Sequence, residues 1–174
     1  MEAALLMQNH LPNDILSIHG SDLDPRQVRG TEQNLDYLVT KGLLSPSSRQ
    51  RISVTVGDAR TAHTRHPNGS ITSIVTEGHL GPPLRGTESL ATMRKNADVI
   101  ERLWRDALAA FSAIQPANGR LVGIWPSFKT PNGLAAVDLT NELSTWSYRL
   151  AQIPLLYRRP DQHVQRNIVV MEKM

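Results

Sequence analysis

An α/β fold, built on an open and mostly parallel sheet covered by helices on both faces, is predicted by three features of this sequence. Short β-branched runs alternate with amphipathic helical stretches along most of the chain, and Gly, Pro, Asn and Asp punctuate the boundaries between them. The last segment changes character. Tyr148 to Leu156 and Val164 to Lys173 read as two extended runs joined through Arg159-Pro160-Asp161, which suggests an antiparallel pair closing the sheet.

Met1 to Gln8 is rich in helix formers and reads as the end of a helix, closed off by Asn9, Pro12 and Asn13. Ile15 to His19 reads as a buried strand, after which Gly20-Ser21 turns the chain into Asp24-Pro25, a cap followed by proline at the first helical position. The helix that follows runs to about Lys41. Val28, Leu35, Leu38 and Val39 share one of its faces and Gly42 ends it. Leu43 to Gln50 is a connection. Ile52 to Val56 and Ile71 to Val75 are strands. From Glu88 to Ile114 the apolar residues Leu90, Met93, Ala97, Ile100, Leu103, Trp104, Ala107, Leu108, Phe111 and Ile114 recur at helical spacing, and Pro116 and Gly119 terminate that helix. Leu121 to Trp125 is a further buried strand, followed by a Pro/Gly-containing loop and a short helix around Leu139 to Thr145.

With 174 residues, 40% hydrophobic and 20% charged, one domain with a real core is the default. The excess of Lys and Arg over Asp and Glu, 19 against 16, is compatible with a polyanionic partner but does not demand one. Cysteine is absent, so no disulfide framework or thiolate metal site exists. No run of apolar residues is long enough to span a bilayer, and Met1 to Met7 carries Glu2 and no basic flank, unlike an export signal. A soluble, cytoplasmic protein is expected.

Open parallel sheets bind ligands at the carboxyl ends of their strands, which directs attention to Asp22, Asp58, Thr76 to His79 and Pro126 to Lys129. A carboxylate after a strand, such as Asp22, can accept hydrogen bonds from both hydroxyls of a ribose. The alternative, that Asp22 or Asp24 only caps the next helix, stays open. Asp58 in G-D-A-R is placed to accept from an adenine amino group, though strand-end aspartates in turns are commonplace. His63-x-x-His66 has a spacing seen in metal sites but lacks supporting ligands and reads as solvated loop. Arg49, Arg51, Arg60, Arg65, Lys129, Arg158 and Arg159 are candidates for a basic rim that meets RNA phosphates, with scattered surface charge as the alternative. Trp104 is core by its spacing, while Trp125 is core or substrate wall.

The order M-E-A-A-L-L-M (Met1 to Met7), H-G-S-D-L-D-P-R-Q-V (His19 to Val28), N-L-D-Y-L (Asn34 to Leu38), G-D-A-R (Gly57 to Arg60), I-V-T-E-G-H-L-G (Ile74 to Gly81) and Y-R-R-P-D-Q-H-V-Q-R-N-I-V-V-M-E-K (Tyr157 to Lys173) resembles class I methyltransferases. The likeness covers nearly the whole chain and is nearest to the branch that methylates exocyclic amines of RNA guanines. It implies a Rossmann-like sheet, mostly parallel with a closing antiparallel strand, in the order three, two, one, four, five, seven, six. It further implies S-adenosylmethionine as cofactor, RNA as substrate with tRNA foremost, Asp22 on the cofactor ribose, Leu23 packed on the adenine, and Asp58 with Ala59 at the adenine's polar edge. These residues and the target loop are expected to converge on one cleft.

Two departures accompany the resemblance. The family's catalytic motif usually reads Asp or Asn, Pro, Pro, aromatic; its first side chain and a backbone carbonyl orient the amine while the ring stacks on the base. A T-E-P-Y-L-G variant occurs in bacterial relatives. Here Thr76, Glu77, Gly78 and His79 stand in its place, with glycine expected to loosen the turn and His79 either stacking or facing solvent. The family's first strand and glycine-rich loop, which precede the helix resembling Met1 to Met7, have no counterpart in this sequence. A missing amino-terminal segment or a complementing chain is therefore implied, and a noncatalytic RNA-binding or subunit-like descendant is the alternative to an enzyme.

Overall fold

The computed structural model describes residues 3–5, 17–159 and 162–174, and the chain divides into two compact units, Met1–Ala59 and Arg60–Met174. In the first, β1 (Ile18–Asp22) lies parallel to β2 (Ile52–Val56), with Ile18 opposite Ile52 and Asp22 opposite Val56. Between them run α1 (Pro25–Thr40) and the one-turn α2 (Pro46–Arg49). Asp24 caps α1 by accepting from the Arg26 amide at 2.8 Å, ahead of Pro25 at the first position. Gly42, at φ 68°, turns the chain away as the Leu43 amide reaches back to the Leu38 carbonyl. Ala4, Leu35, Leu38, Leu44 and Ile52 form this unit's core, and Ala3–Leu5 is helical, as the amino-terminal reading expects. The rest of Met1 to Gln8, the closing residues Asn9, Pro12 and Asn13, and Ile15 with Leu16 lie outside the described residues.

The first strand sits further along than its apolar run suggests. Gly20 and Ser21 do not turn the chain. They pair with Val54 and Thr55, because the ladder to β2 supplies backbone hydrogen bonds that outweigh the turn preference of the Gly-Ser pair. The Leu43 to Gln50 connection contains α2, capped by the Ser45 hydroxyl accepting from the Ser48 amide at 3.1 Å.

The second unit holds a sheet ordered β3 (Ser73–Thr76), β4 (Arg120–Thr130), β8 (Val164–Lys173), β6 (Tyr148–Leu150). β3 and β4 are parallel, with α3 (Leu90–Ile114) between them in sequence, and β8 runs antiparallel to β4, as expected of the closing strand. Two short strands add antiparallel edges, the first unrevealed by patterning and the second largely inside the extended run Tyr148 to Leu156 that was expected to pair with Val164 to Lys173. β5 (Gly133–Ala136) folds back on β4 across the two-residue turn Pro131-Asn132, so Pro126 to Lys129 lie inside a ladder and not in a loop after it. β7 (Leu155–Tyr157) pairs with the opening half of β8. The helix expected around Leu139 to Thr145 is a 3-10 helix, Thr140–Trp146. β1 and β3 are not paired with each other among the described strands.

The side of α3 that carries Met93, Ala97, Ile100, Trp104, Ala107, Leu108 and Phe111 is buried. Trp104 meets Trp125 edge to face at 6.3 Å between centroids, which settles Trp125 as core. Gly123 on β4 makes this possible: a Cβ there would lie 2.7 Å from Trp104 Cη2. Among the described residues no helix is long and apolar enough to cross a membrane, and no group of three or more His, Cys, Asp or Glu is placed to hold a metal.

Buried polar contacts fasten the far end of α3. The Tyr148 hydroxyl donates to Gln115 Oε1 at 2.6 Å, while Gln115 Nε2 donates to the Arg120 carbonyl at 3.0 Å. Burial raises the Tyr148 phenol above its ordinary 10.0. The folded state thus holds this proton more tightly than the unfolded chain, so its stability is retained below pH 10.0 and falls as the pH rises above it. Tyr148→Phe is expected to cost about 1–3 kcal/mol at neutral pH, because Gln115 Oε1 loses its donor. It should also flatten the alkaline fall in melting temperature; an unchanged alkaline slope would show that Tyr148 does not set it.

Candidate active site

Two groups of candidate residues stand at carboxyl ends of parallel strands, one in each unit. In the first unit Asp22 ends β1 and Asp58 follows β2, and the Gly57 amide donates to the Asp22 carbonyl at 3.0 Å, which brings the segments 22–23 and 57–59 side by side. Asp22 Oδ1 accepts from the Asp24 amide at 2.8 Å, while the helix cap considered from the sequence falls to Asp24 and not to Asp22. The other Asp22 oxygen, Oδ2, carries no hydrogen bond among the described residues and remains an acceptor. Leu23, beside it, is 63% exposed, a large apolar side chain placed next to a carboxylate. Asp58 and Ala59 are half-buried, and Ala59 opens the 3-10 helix Ala59–Thr64.

This arrangement suits the adenosine portion of a nucleotide-like cofactor. A carboxylate oxygen at a strand end can take ribose hydroxyls, an exposed leucine can cover a purine face, and a half-buried carboxylate after the adjacent strand can meet an amino group. Asp24 is committed elsewhere: its carboxylate grips the Arg26 side chain and amide, which hold it below the usual carboxylate range. The described residues supply no glycine-rich backbone loop after a strand for an amino-acid tail.

In the second unit Thr76 ends β3 opposite Gly123, and Glu77, Gly78 and His79 follow it, all exposed. Glu77 Oε1 accepts from Arg166 Nε on β8 at 2.8 Å. Gly78 does not loosen this turn. Its φ of 67° belongs to the left-handed region, where proline, fixed near −65°, cannot go, so the glycine is required by the backbone path. An added Cβ would also lie 3.4 Å from the ring of Trp104, whose buried indole nitrogen has no hydrogen-bond partner among the described residues. His79 is exposed, without a stacking partner in the described aromatic contacts.

Sequence reasoning missed Arg166, which lies 89 positions from Glu77. Only the antiparallel register of β8 brings it there, and no local pattern signals it. The basic rim is thinned by the structure. Arg49 turns inward to Glu32, to Asp36 at 3.0 Å and to the Ile52 carbonyl at 3.1 Å, a structural clasp between α1 and β2. Lys129, Arg158 and Arg159 remain exposed in the second unit.

The fold these elements define is that of Rossmann-like methyltransferases. TrmN from Thermus thermophilus superposes with a TM-score of 0.57 at 17% identity, over 99% of this chain and 40% of its own length. A SAM-dependent methyltransferase from Methanosarcina mazei gives 0.56 at 10% identity, over 91% of this chain and 82% of its own. The [4+2]-cyclase SpnF gives 0.55 at 13% identity, over 93% and 67%. At such identities the likeness establishes the fold, and the chain spans less than half the length of the TrmN structure. No protein-family model matches the sequence, and no curated protein matches it.

Proposed function

We propose that this chain belongs to an S-adenosylmethionine-dependent methyltransferase that acts in the cytoplasm on an exocyclic base amine of RNA, with tRNA as the foremost substrate class. The observation that carries the reading is the pair of strand orders, β2–β1 and β3–β4–β8–β6, each with candidate residues at the carboxyl end of a parallel strand. They correspond to positions three-two and four-five-seven-six of the methyltransferase sheet. Position one of that sheet would be supplied by a further strand, from an amino-terminal segment or a complementing chain. RNA as substrate rests on the sequence resemblance, with the exposed basic side chains of the second unit in its favour.

In this reading Asp22 Oδ2 holds the cofactor ribose, Leu23 covers the adenine, and Asp58 and Ala59 meet its polar edge. Bound S-adenosylmethionine supplies an electrophilic methyl group on a sulfonium. In the second unit, the Thr76 hydroxyl and loop carbonyls would accept hydrogen bonds from the target amine and aim its lone pair, and the His79 ring would lie against the base. The amine would take that methyl group, leaving the cofactor as its demethylated product, and the amine proton would pass to solvent.

Asp22→Ala is expected to weaken S-adenosylmethionine binding by about 1–3 kcal/mol, since the ribose loses a charged acceptor. Asp22→Asn, which keeps the bond to the Asp24 amide, separates this loss from any disturbance of α1. Affinity unchanged in both variants would remove Asp22 from the site.

A second reading is a noncatalytic RNA-binding or subunit-like descendant. It is favoured by Gly78, whose left-handed backbone departs from the proline turn of the family's motif. The [4+2]-cyclase among the structural neighbours illustrates that this fold carries more than one chemistry.

A further inference from the structure

Among the described residues β7 is an edge strand that pairs only with β8, and all three of its side chains are exposed: Leu155 56%, Leu156 51% and Tyr157 42%. Successive strand residues point to opposite faces, so neither face of β7 is covered, although its residues are apolar. The strip continues into Arg158 and Arg159. Arg159 lies over the Tyr157 ring, its guanidinium carbon 5.8 Å from the centroid, and its Nε donates to the Tyr157 hydroxyl at 2.8 Å. The ring is thereby held by a cation, a pairing suited to stacking an electron-rich base.

This strip is continuous with the candidate target loop. Tyr157 stands opposite Arg166 in the β7–β8 register, and the Arg166 side chain reaches Glu77. Lys129, exposed on the neighbouring β4, adds another positive charge at the same end of the sheet, where its amide bonds to the His163 carbonyl. Glu77, the acid of this loop, is already matched by Arg166, so among the described residues Lys129, Arg158 and Arg159 leave the edge positively charged. Apolar side chains, a cation-held aromatic ring and unmatched positive charge together fit single-stranded nucleic acid. A second copy of this chain, paired edge to edge, fits less well. Pro154 immediately precedes β7 and offers no amide donor, a feature that blunts such pairing.

We propose that Leu155–Arg159 is a binding surface for single-stranded RNA, taking bases on Tyr157 and the adjacent leucines and phosphates on Arg158 and Arg159. The proposal rests on the reading of RNA as the substrate and adds where the strand flanking the target base is gripped. The test is fluorescence anisotropy of the 174-residue chain with a short fluorescein-labelled oligouridylate, without cofactor, so that a failure of cofactor binding does not decide it. Tyr157→Ala is expected to weaken binding about five-fold or more, while Tyr157→Phe stays near the parent. The double variant Arg158→Ala, Arg159→Ala is expected to make the slope of log affinity against log salt shallower by about 1.4, the value for two lost phosphate contacts on a single strand. Because these side chains are exposed, melting temperatures should not move. Binding unchanged in both variants would overturn the proposal. So would sedimentation showing that the parent self-associates through β7 and that the variants lose binding only by becoming monomeric.

Discussion

Gly123→Val is expected to destabilise the second unit by about 3 kcal/mol, near the upper end of the cost of overpacking a tight core. Its Cβ would lie 2.7 Å from Trp104 Cη2 and 3.2 Å from Cζ3, and neither partner can yield easily. Gly123 sits mid-ladder between Thr76 and Val169, and Trp104 is fully buried against Trp125. Trp104→Leu alone should also destabilise, by emptying the same space. In the double variant the two costs should overlap, giving a coupling of at least ~1 kcal/mol in a denaturant-unfolding cycle. Strict additivity would show that the helix and strand do not meet through this pair. The consequence reaches the target loop, since Gly78 packs on the same indole.

Supplying the further strand proposed for the free strand edges is expected to stabilise the protein by on the order of 3 kcal/mol or more and to raise its affinity for S-adenosylmethionine, the edges concerned being those of β1 and of β3. Each of these strands keeps one edge without a strand partner among the described residues, and Val75 on β3 is 81% exposed. A parallel strand about 4.8 Å from its neighbours would pair such edges and cover such side chains. Backbone groups left unpaired away from water cost about 1–3 kcal/mol each, against a total domain stability of about 5–15. The 174-residue chain alone should therefore melt at low temperature, whereas a version extended by a strand and glycine-rich loop, or mixed with a chain carrying them, should unfold cooperatively at higher temperature. Cooperative, high-temperature unfolding of the short chain as a monomer would contradict the proposal.

Patterning located elements whose signals are local. The long helix was legible because ten apolar residues at helical spacing outweigh any competing period, and β2 because its alternation coincides with its pairing. β1 was displaced, since a Gly-Ser pair reads as a turn until a partner strand is known. β5 and β7 were illegible as separate strands for a related reason: each is short and takes its identity from β4 or β8. At the site, strand-end aspartates could be found from position alone. The salt bridge from Arg166 to Glu77 could not, because it depends on register. Gly78 was misread in mechanism, since the sequence shows a missing proline but not the left-handed backbone that excludes it.

The most direct test of the central claim is calorimetric titration of S-adenosylmethionine, and of its demethylated product, into the 174-residue chain and into the strand-extended version. A saturable one-site heat in the extended version, diminished by Asp22→Ala and weaker in the short chain, is the predicted result. No heat with either compound in either protein would contradict a methyltransferase and leave the noncatalytic descendant as the account of this fold.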